Sequence, residues 1–196
     1  MKTMKQMLVA VALILISFNA QAQDFNYGVK AGLNLSDLRG DLDTDLRAFF
    51  HGGVYGNYMF SDQWGVQAEL LYSGQGAKDE NDSDIKYKLS YLNLPILAKY
   101  YVTEAFSIEL GPQLGFLLDS ETDVSGDGLE IDVDEIYKDF DLSVAAGLGY
   151  ELEMGLNFGV RYNFGVTDIA DSDVFFGDDA ARNSVIQVSV GYTFIR

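Results

Sequence analysis

The chain has 196 residues, and 13 Lys and Arg against 30 Asp and Glu give it a formal net charge of −17 at neutral pH. This acidic balance argues against nucleic acid as a partner, since a phosphate backbone would be repelled. The length fits one domain, and the absence of cysteine excludes a disulfide framework.

The first segment has the features of a secretory signal peptide. Lys2 and Lys5 precede an apolar run at residues 7–18, and Ala20-Gln21-Ala22 supplies the small residues of an A-x-A cleavage site. The alternative is a retained membrane anchor, but the run is shorter than the roughly 20 residues that a helix needs to span a bilayer. We predict a leader at 1–22 and a single domain at 23–196.

An apolar and a polar residue then alternate from Phe25 to Ser36, which is typical of a strand with one apolar and one polar face. The same alternation returns seven more times along the chain. The apolar stripes take every second residue of 25–35, 50–60, 64–72, 92–100, 106–118, 142–152, 156–166 and 186–194, and none of their 46 positions is charged. The pattern predicts an all-β fold, an eight-stranded antiparallel up-and-down transmembrane β-barrel.

Alternation does not say which stripe faces outward, since a soluble lipocalin-like barrel has its apolar face inside. An eight-stranded barrel is only just wide enough for its own side chains, so the bulky stripe must lie outside. The opposite stripe is rich in Gly, Ser, Asn and Gln. It carries seven charges, which we predict form a paired lumen network: Lys30, Glu69, Lys99, Glu109, Asp141, Glu151 and Arg161. Arg161 is expected to pair with Glu151 or Asp141 on the preceding strand.

The connections predict an orientation. Short links at 61–63, 102–105 and 153–155 alternate with predicted long loops at 37–47, 74–86, 119–139 and 168–183, which hold 22 of the 30 carboxylates. Outer-membrane barrels keep short turns in the periplasm and long loops outside, so we predict periplasmic termini and an acidic surface rim.

Pro95 and Pro112 fall within strands, where we expect a bulge or a water-satisfied carbonyl.

Candidate chemistry is sparse. His51, the single histidine, could pair with Ser73 or a lumen carboxylate in a small lipid-modifying enzyme, but a hydrogen-bonded lumen histidine is the simpler interpretation. One loop fits a calcium pattern. Its candidate ligands are Asp123, Ser125, Asp127 and Asp134. The alternative is a solvated acidic loop, because the flanking helices of an EF-hand are missing. No catalytic residue or other cofactor is predicted.

Several segments resemble the PorT-type outer-membrane β-barrel family of Bacteroidetes. They are YLNLPILAKY (91–100), GPQLGFLL (111–118), DFDLSVAAGLGYEL (139–152), GLNFGVRYNFGVTDI (155–169) and NSVIQVSVGYTF (183–194). The resemblance implies an eight-stranded barrel integral to the outer membrane. One family member is tied to protein secretion, which suggests an accessory role in secretion or envelope assembly by analogy.

Three functions are consistent with this sequence. The first, which we favour, is a non-enzymatic surface anchor whose acidic loops engage divalent cations, lipopolysaccharide or another protein. The second is a narrow pore, and the third is the secretion or assembly accessory, with envelope proteins as partners. The crowded lumen argues against the pore. The expected environment in each case is outer-membrane lipid.

Overall fold

The computed structural model of this protein describes residues 25–40, 44–79, 85–124, 129–132, 138–169 and 181–194. Eight long strands follow one another along the chain. They are β1 (Phe25–Gly40), β2 (Arg47–Met59), β3 (Trp64–Asp79), β4 (Ile85–Tyr101), β5 (Phe106–Val124), β6 (Phe140–Glu151), β7 (Leu156–Gly165) and β8 (Ala181–Thr193).

Every strand pairs antiparallel with its neighbours in sequence, and β1 also pairs with β8, so the sheet closes on itself. Val29, for example, lies opposite Val54 on β2 and opposite Tyr192 on β8. Each of the eight strands therefore has a partner on both sides around the barrel wall, which a barrel in lipid requires. The predicted eight-stranded antiparallel barrel is confirmed. No helix long and apolar enough to cross a membrane occurs in the ranges given above.

The two stripes face as predicted. On the outer surface, Leu33, Phe50 and Val160 are 59%, 62% and 52% exposed. On the inner surface, Asn34 is fully buried and Arg161 is 4% exposed. Because apolar side chains cover the outside and polar ones fill the inside, the molecule suits a lipid environment.

The short connections are tight turns closed by backbone hydrogen bonds. The amides of Phe60, Val102 and Leu152 donate to the carbonyls of Trp64, Phe106 and Leu156 at 3.0, 2.9 and 2.8 Å. Gly155 has φ of +88°, a left-handed conformation that a residue with a side chain rarely adopts. The aromatic pair Trp64 and Tyr100 lies on the outer surface near these turns, with ring centroids 4.8 Å apart.

The opposite end of the barrel differs from the expectation of long loops. β1 continues to Gly40, β3 to Asp79 and β5 to Val124, all within segments predicted to be loops. Two short strands, Thr44–Asp45 and Leu129–Asp132, pair with β3 and β5 there. The loop prediction was wrong at these residues because it ended each strand where the uncharged stripe ended. Backbone pairing can continue past that point, since both faces then meet water and tolerate charge.

Of the two expectations for Pro95 and Pro112, the bulge is wrong, and the water-satisfied carbonyl stays a prediction. Pro95 lies opposite Gln113 and Pro112 opposite Val144, and the register is the same on both sides of each proline. A proline lacks one donor but adds no residue, so it can weaken a ladder without shifting it. The register shift between β4 and β5 instead lies between Ser90 and Tyr91.

Candidate functional site

The candidate site is the barrel interior, where strands from opposite walls bring charged side chains together. Lys30 lies on β1, Glu69 on β3, Glu109 on β5 and Arg161 on β7. Each falls on the inward parity of its strand, so all four side chains enter the lumen. Glu69, Glu109 and Arg161 are all buried, at 1%, 6% and 4% exposed.

Arg161 is the centre of this cluster. Its two terminal nitrogens donate to the two carboxylate oxygens of Glu69, at 2.9 Å for Nη1 to Oε2 and 2.8 Å for Nη2 to Oε1. Its Nε donates to Oε1 of Glu109 at 2.7 Å. A paired geometry of this kind uses the fixed fork of the guanidinium and gives strong charge-assisted bonds.

The prediction that Arg161 would pair with Glu151 or Asp141 was wrong about the partners. In register, Glu109 lies opposite Gly147 on β6, and Gly147 lies opposite Arg161 on β7. A Cβ atom at Gly147 would lie 2.9 Å from Oε1 of Glu109. The glycine therefore leaves the space through which Glu109 reaches Arg161 past the intervening strand.

Lys30 completes a charge-balanced group of two cations and two carboxylates. Its Nζ donates to Oε1 of Glu69 at 3.0 Å. The amide of Gln67 also donates to this Glu69 oxygen, and Lys99 Nζ donates to Oε1 of Gln67 at 3.1 Å. Lys99 therefore joins the cluster through Gln67, a residue that the sequence analysis did not single out although it lies on the inward stripe.

Two further predicted lumen residues lie toward opposite ends. Asp141 accepts hydrogen bonds from Thr167 Oγ1 at 2.7 Å and Asn183 Nδ2 at 3.0 Å, near the end with the long connections. Glu151 lines a cavity of about 420 Å³ at the end with the short turns. A smaller cavity of about 30 Å³, with room for a water molecule, lies between this mouth and the cluster and is lined by Lys30, Lys99 and Glu109.

His51 belongs to a separate buried cluster of neutral groups. It is 2% exposed, and its Nδ1 lies 2.7 Å from Oδ1 of Asn34. That oxygen also accepts from Gln187 Nε2 at 3.0 Å, while Asn34 Nδ2 donates to Ser73 Oγ at 2.9 Å. His51 and Ser73 are register partners, and each has a side-chain hydrogen bond to Asn34, while Ser73 Oγ also accepts from Gln75 Nε2 at 3.3 Å. Asn34, like Gln67, is an inward residue whose role only the three-dimensional contacts reveal.

The predicted calcium ligands fall largely outside the described residues. Asp123 is a backbone partner of Glu130, because residues 121–124 pair with Leu129–Asp132. Ser125, Asp127 and Asp134 lie outside the described residues, so the calcium site stays a prediction. Within the described ranges, no group of three His, Asp or Glu side chains is arranged to hold a metal ion.

Comparison with known proteins supports the fold. A model of the outer membrane protein beta-barrel domain matches residues 19–171. Among solved structures, the chain is similar to the attachment invasion locus protein Ail of Yersinia pestis, with a TM-score of 0.53 and 16% identity over 88% of this chain and 100% of that chain.

A second structure of Ail, in complex with the heparin analogue sucrose octasulfate, gives a TM-score of 0.54 and 17% identity over the same shares. The structure of Neisserial surface protein A gives a TM-score of 0.57 and 12% identity over 86% of this chain and 97% of that chain. At such identities the likeness concerns the fold alone. A search of curated proteins finds no match to the sequence.

Proposed function

This chain belongs to the outer membrane protein beta-barrel domain family, and we propose that within that family it is a non-enzymatic anchor that presents acidic segments at the cell surface. The barrel is the part that resides in the outer membrane. The acidic connections between β1 and β2, β3 and β4, β5 and β6, and β7 and β8 are the part that interacts with other molecules.

The observation that carries this proposal is the crossing of the lumen by Arg161. It reaches from β7 to Glu69 on β3 and Glu109 on β5, with Lys30 bonded to the same Glu69. An eight-stranded interior has no further width for a water-filled channel around such a cluster. This favours an anchor over a pore.

The arrangement of the connections supports an orientation. Three tight turns and the described end of β8, at Thr193, share one end of the barrel with the start of β1, at Phe25. In bacterial outer-membrane barrels the short turns face the periplasm. We therefore place both termini in the periplasm and the acidic connections outside.

The charge of the outer segments favours cations as ligands. Residues 37–47, 74–86, 119–139 and 168–183 contain 22 carboxylates and only six Lys or Arg. Ail has been solved with a sulfated heparin analogue, but a polyanion of that kind would meet repulsion from these segments. Divalent cations, or a partner with a basic surface, fit them better.

The anchor and the pore differ in conductance. Purified protein in a planar bilayer should add no ion conductance above that of the bilayer with its detergent. The Arg161→Ala/Glu69→Ala variant, which removes two of the four bonded charged side chains at the centre of the lumen, serves as the positive control for detecting a water path. Steady current steps from the wild-type protein, at least as large as those of the variant, would contradict the anchor.

Orientation can be tested with single cysteines, because the chain has none of its own. Asp139 lies at the end with the long connections and Asp62 in a short turn, and both are exposed. A membrane-impermeant maleimide should label Asp139→Cys on intact cells and Asp62→Cys only after the outer membrane is permeabilised. The opposite pattern would invert the proposed topology.

Co-purification of secretion or envelope-assembly proteins with the wild-type chain would favour the accessory role that the PorT-type resemblance suggests.

A further inference from the structure

Two arginines lie side by side on the outer surface of this acidic protein. Arg39 on β1 is the register partner of Arg182 on β8, and both are exposed. Arg39 continues the stripe of Leu33 and Leu35, so it points away from the lumen. Two cationic side chains on neighbouring strands repel each other, and an anion bound between them would offset that repulsion.

The pair lies just past the apolar surface. Leu35 is opposite Ile186, the next outward pair is Asp37 and Ser184, and the one after that is Arg39 and Arg182. Arg39 is four residues beyond Leu35, which is about 13 Å along the strand and less along the tilted barrel axis. This height corresponds to the headgroup layer that borders the hydrocarbon core.

Contacts to β7 hold Arg39 at that boundary. Its guanidinium carbon lies 5.1 Å from the centre of the Phe164 ring, and its Nη1 donates to the Tyr162 hydroxyl at 3.1 Å. Tyr162 is the register partner of Ile186 and Phe164 that of Ser184, so the guanidinium folds back across β8 toward the apolar surface. The Tyr162 hydroxyl also lies 2.9 Å from Ser184 Oγ.

From this arrangement we propose that Arg39, Arg182 and the hydroxyls of Tyr162 and Ser184 bind the phosphate of a lipid headgroup in the outer leaflet. A guanidinium has five N–H donors in a planar fork that matches phosphate oxygens, and the bond to Tyr162 uses one of them. Among the described residues at these register positions, Asp37 lies on the same face, so the two arginines leave one excess positive charge there. That balance suits a single phosphate ester.

A lipid fits this surface better than a soluble anion. A soluble polyanion has to approach past the acidic segments, whereas a lipid phosphate arrives within the plane of the membrane. Its acyl chains would then lie against the exposed apolar stripe below, where Leu35 and Ile186 are 39% and 38% exposed. The assignment to the outer leaflet rests on the proposed topology, but the binding itself does not.

The test compares the wild-type barrel with Arg39→Gln/Arg182→Gln in zwitterionic micelles. Bisphosphorylated lipid A is titrated in, and the bound fraction is measured by mass spectrometry of the intact complex. The matched control is Lys88→Gln/Lys138→Gln, which removes two charges from the same end, one on β4 and one just before β6. The temperature-dependent gel shift of a folded barrel shows that each variant retains its structure.

We expect the double arginine variant to lose affinity on the order of tenfold, because charge-assisted bonds to the phosphate disappear. The control should stay within about twofold of wild type, as scattered surface charges contribute little. Tyr162→Phe should give an intermediate loss, because Arg39 then lacks its hydroxyl partner.

The proposal would be overturned by equal affinities of wild type and the arginine variant, by an equal loss in the lysine control, or by equal binding of lipid A stripped of its phosphates. Competition by millimolar inorganic phosphate would assign the site to the free anion and overturn the lipid assignment. Cysteine labelling is independent of all these measurements, so an inverted topology would place the same site in the inner leaflet.

Discussion

Removal of Arg161 should strongly destabilise the barrel. The Arg161→Ala variant loses three charge-assisted hydrogen bonds, two to Glu69 and one to Glu109, and leaves both carboxylates buried. Breaking a buried ion pair by removing one partner costs about 3–5 kcal/mol. With a urea dependence of roughly 1–3 kcal/mol per molar for a small protein, the unfolding midpoint should fall by at least about 1 M.

The assay follows urea unfolding in micelles through the fluorescence of Trp64, the single tryptophan of the chain. Arg182→Ala, which removes an exposed arginine of β8, is the matched control and should shift the midpoint little. A second mutation makes the test sharper. Glu109→Gln should destabilise the wild-type protein, in which the carboxylate accepts a hydrogen bond from Arg161 Nε. The same mutation should stabilise Arg161→Ala, because Glu109 has then lost its ion pair, whereas Glu69 still has Lys30 as a partner.

Equal midpoints for Arg161→Ala and Arg182→Ala would refute the reasoning. So would a Glu109→Gln effect of the same sign in both backgrounds, because the burial argument requires the sign to reverse.

Three other predictions concern the wall, the packing and the acidic rim of the barrel. Val160→Arg, at the middle of an uncharged stripe on the outer face, should cost about 2–4 kcal/mol of folding free energy, measured by refolding into liposomes. Gly147→Ala should disturb both the sheet and the contact between Glu109 and Arg161, because its methyl group would lie 2.8 Å from the carbonyl oxygen of Val160 and 2.9 Å from Oε1 of Glu109. It should cost about 1–3 kcal/mol in the urea assay. Millimolar calcium should protect residues 119–139 from protease, and the protection should be lost in Asp123→Ala/Asp127→Ala.

Each of these predictions has a matched comparison. Val160→Leu keeps the outer face apolar and should refold like wild type, so equal refolding of the arginine variant would contradict the assignment of the lipid face. Gly52→Ala adds the same methyl group where the nearest atom would be 3.6 Å away. If it costs as much as Gly147→Ala, the packing argument fails. Identical protease cleavage with calcium and with chelator would leave only the solvated-loop interpretation of the calcium pattern.

The alternation of side chains allowed most of the barrel to be predicted. Because successive residues of a strand point to opposite faces, the residues around Phe50 and Val160 showed which surface meets lipid. One stripe carries no charge, and the interior of eight strands is too narrow for its bulky side chains. Together these two facts showed which stripe faces outward. The tight turns at 61–63, 102–105 and 153–155 followed from the short spacing between stripes.

The alternation of side chains did not predict where the strands end or what the prolines do to the register. β3 and β5 continue beyond the uncharged stripe to Asp79 and Val124, because backbone pairing does not depend on the polarity of the side chains. Pro95 keeps its register because the loss of one donor does not require an added residue. Local sequence carries no signal that distinguishes these outcomes.

The sequence by itself determined which residues enter the lumen, since that depends only on the two-residue period of a strand. It could not determine which of the seven charges meet. Arg161 is separated from Glu69 by 92 positions in the chain, and its nearest acidic candidates by strand order were Glu151 and Asp141. Closure of the sheet, its stagger and the space at Gly147 decided the pairing, because they place opposite walls of the barrel within the reach of one side chain.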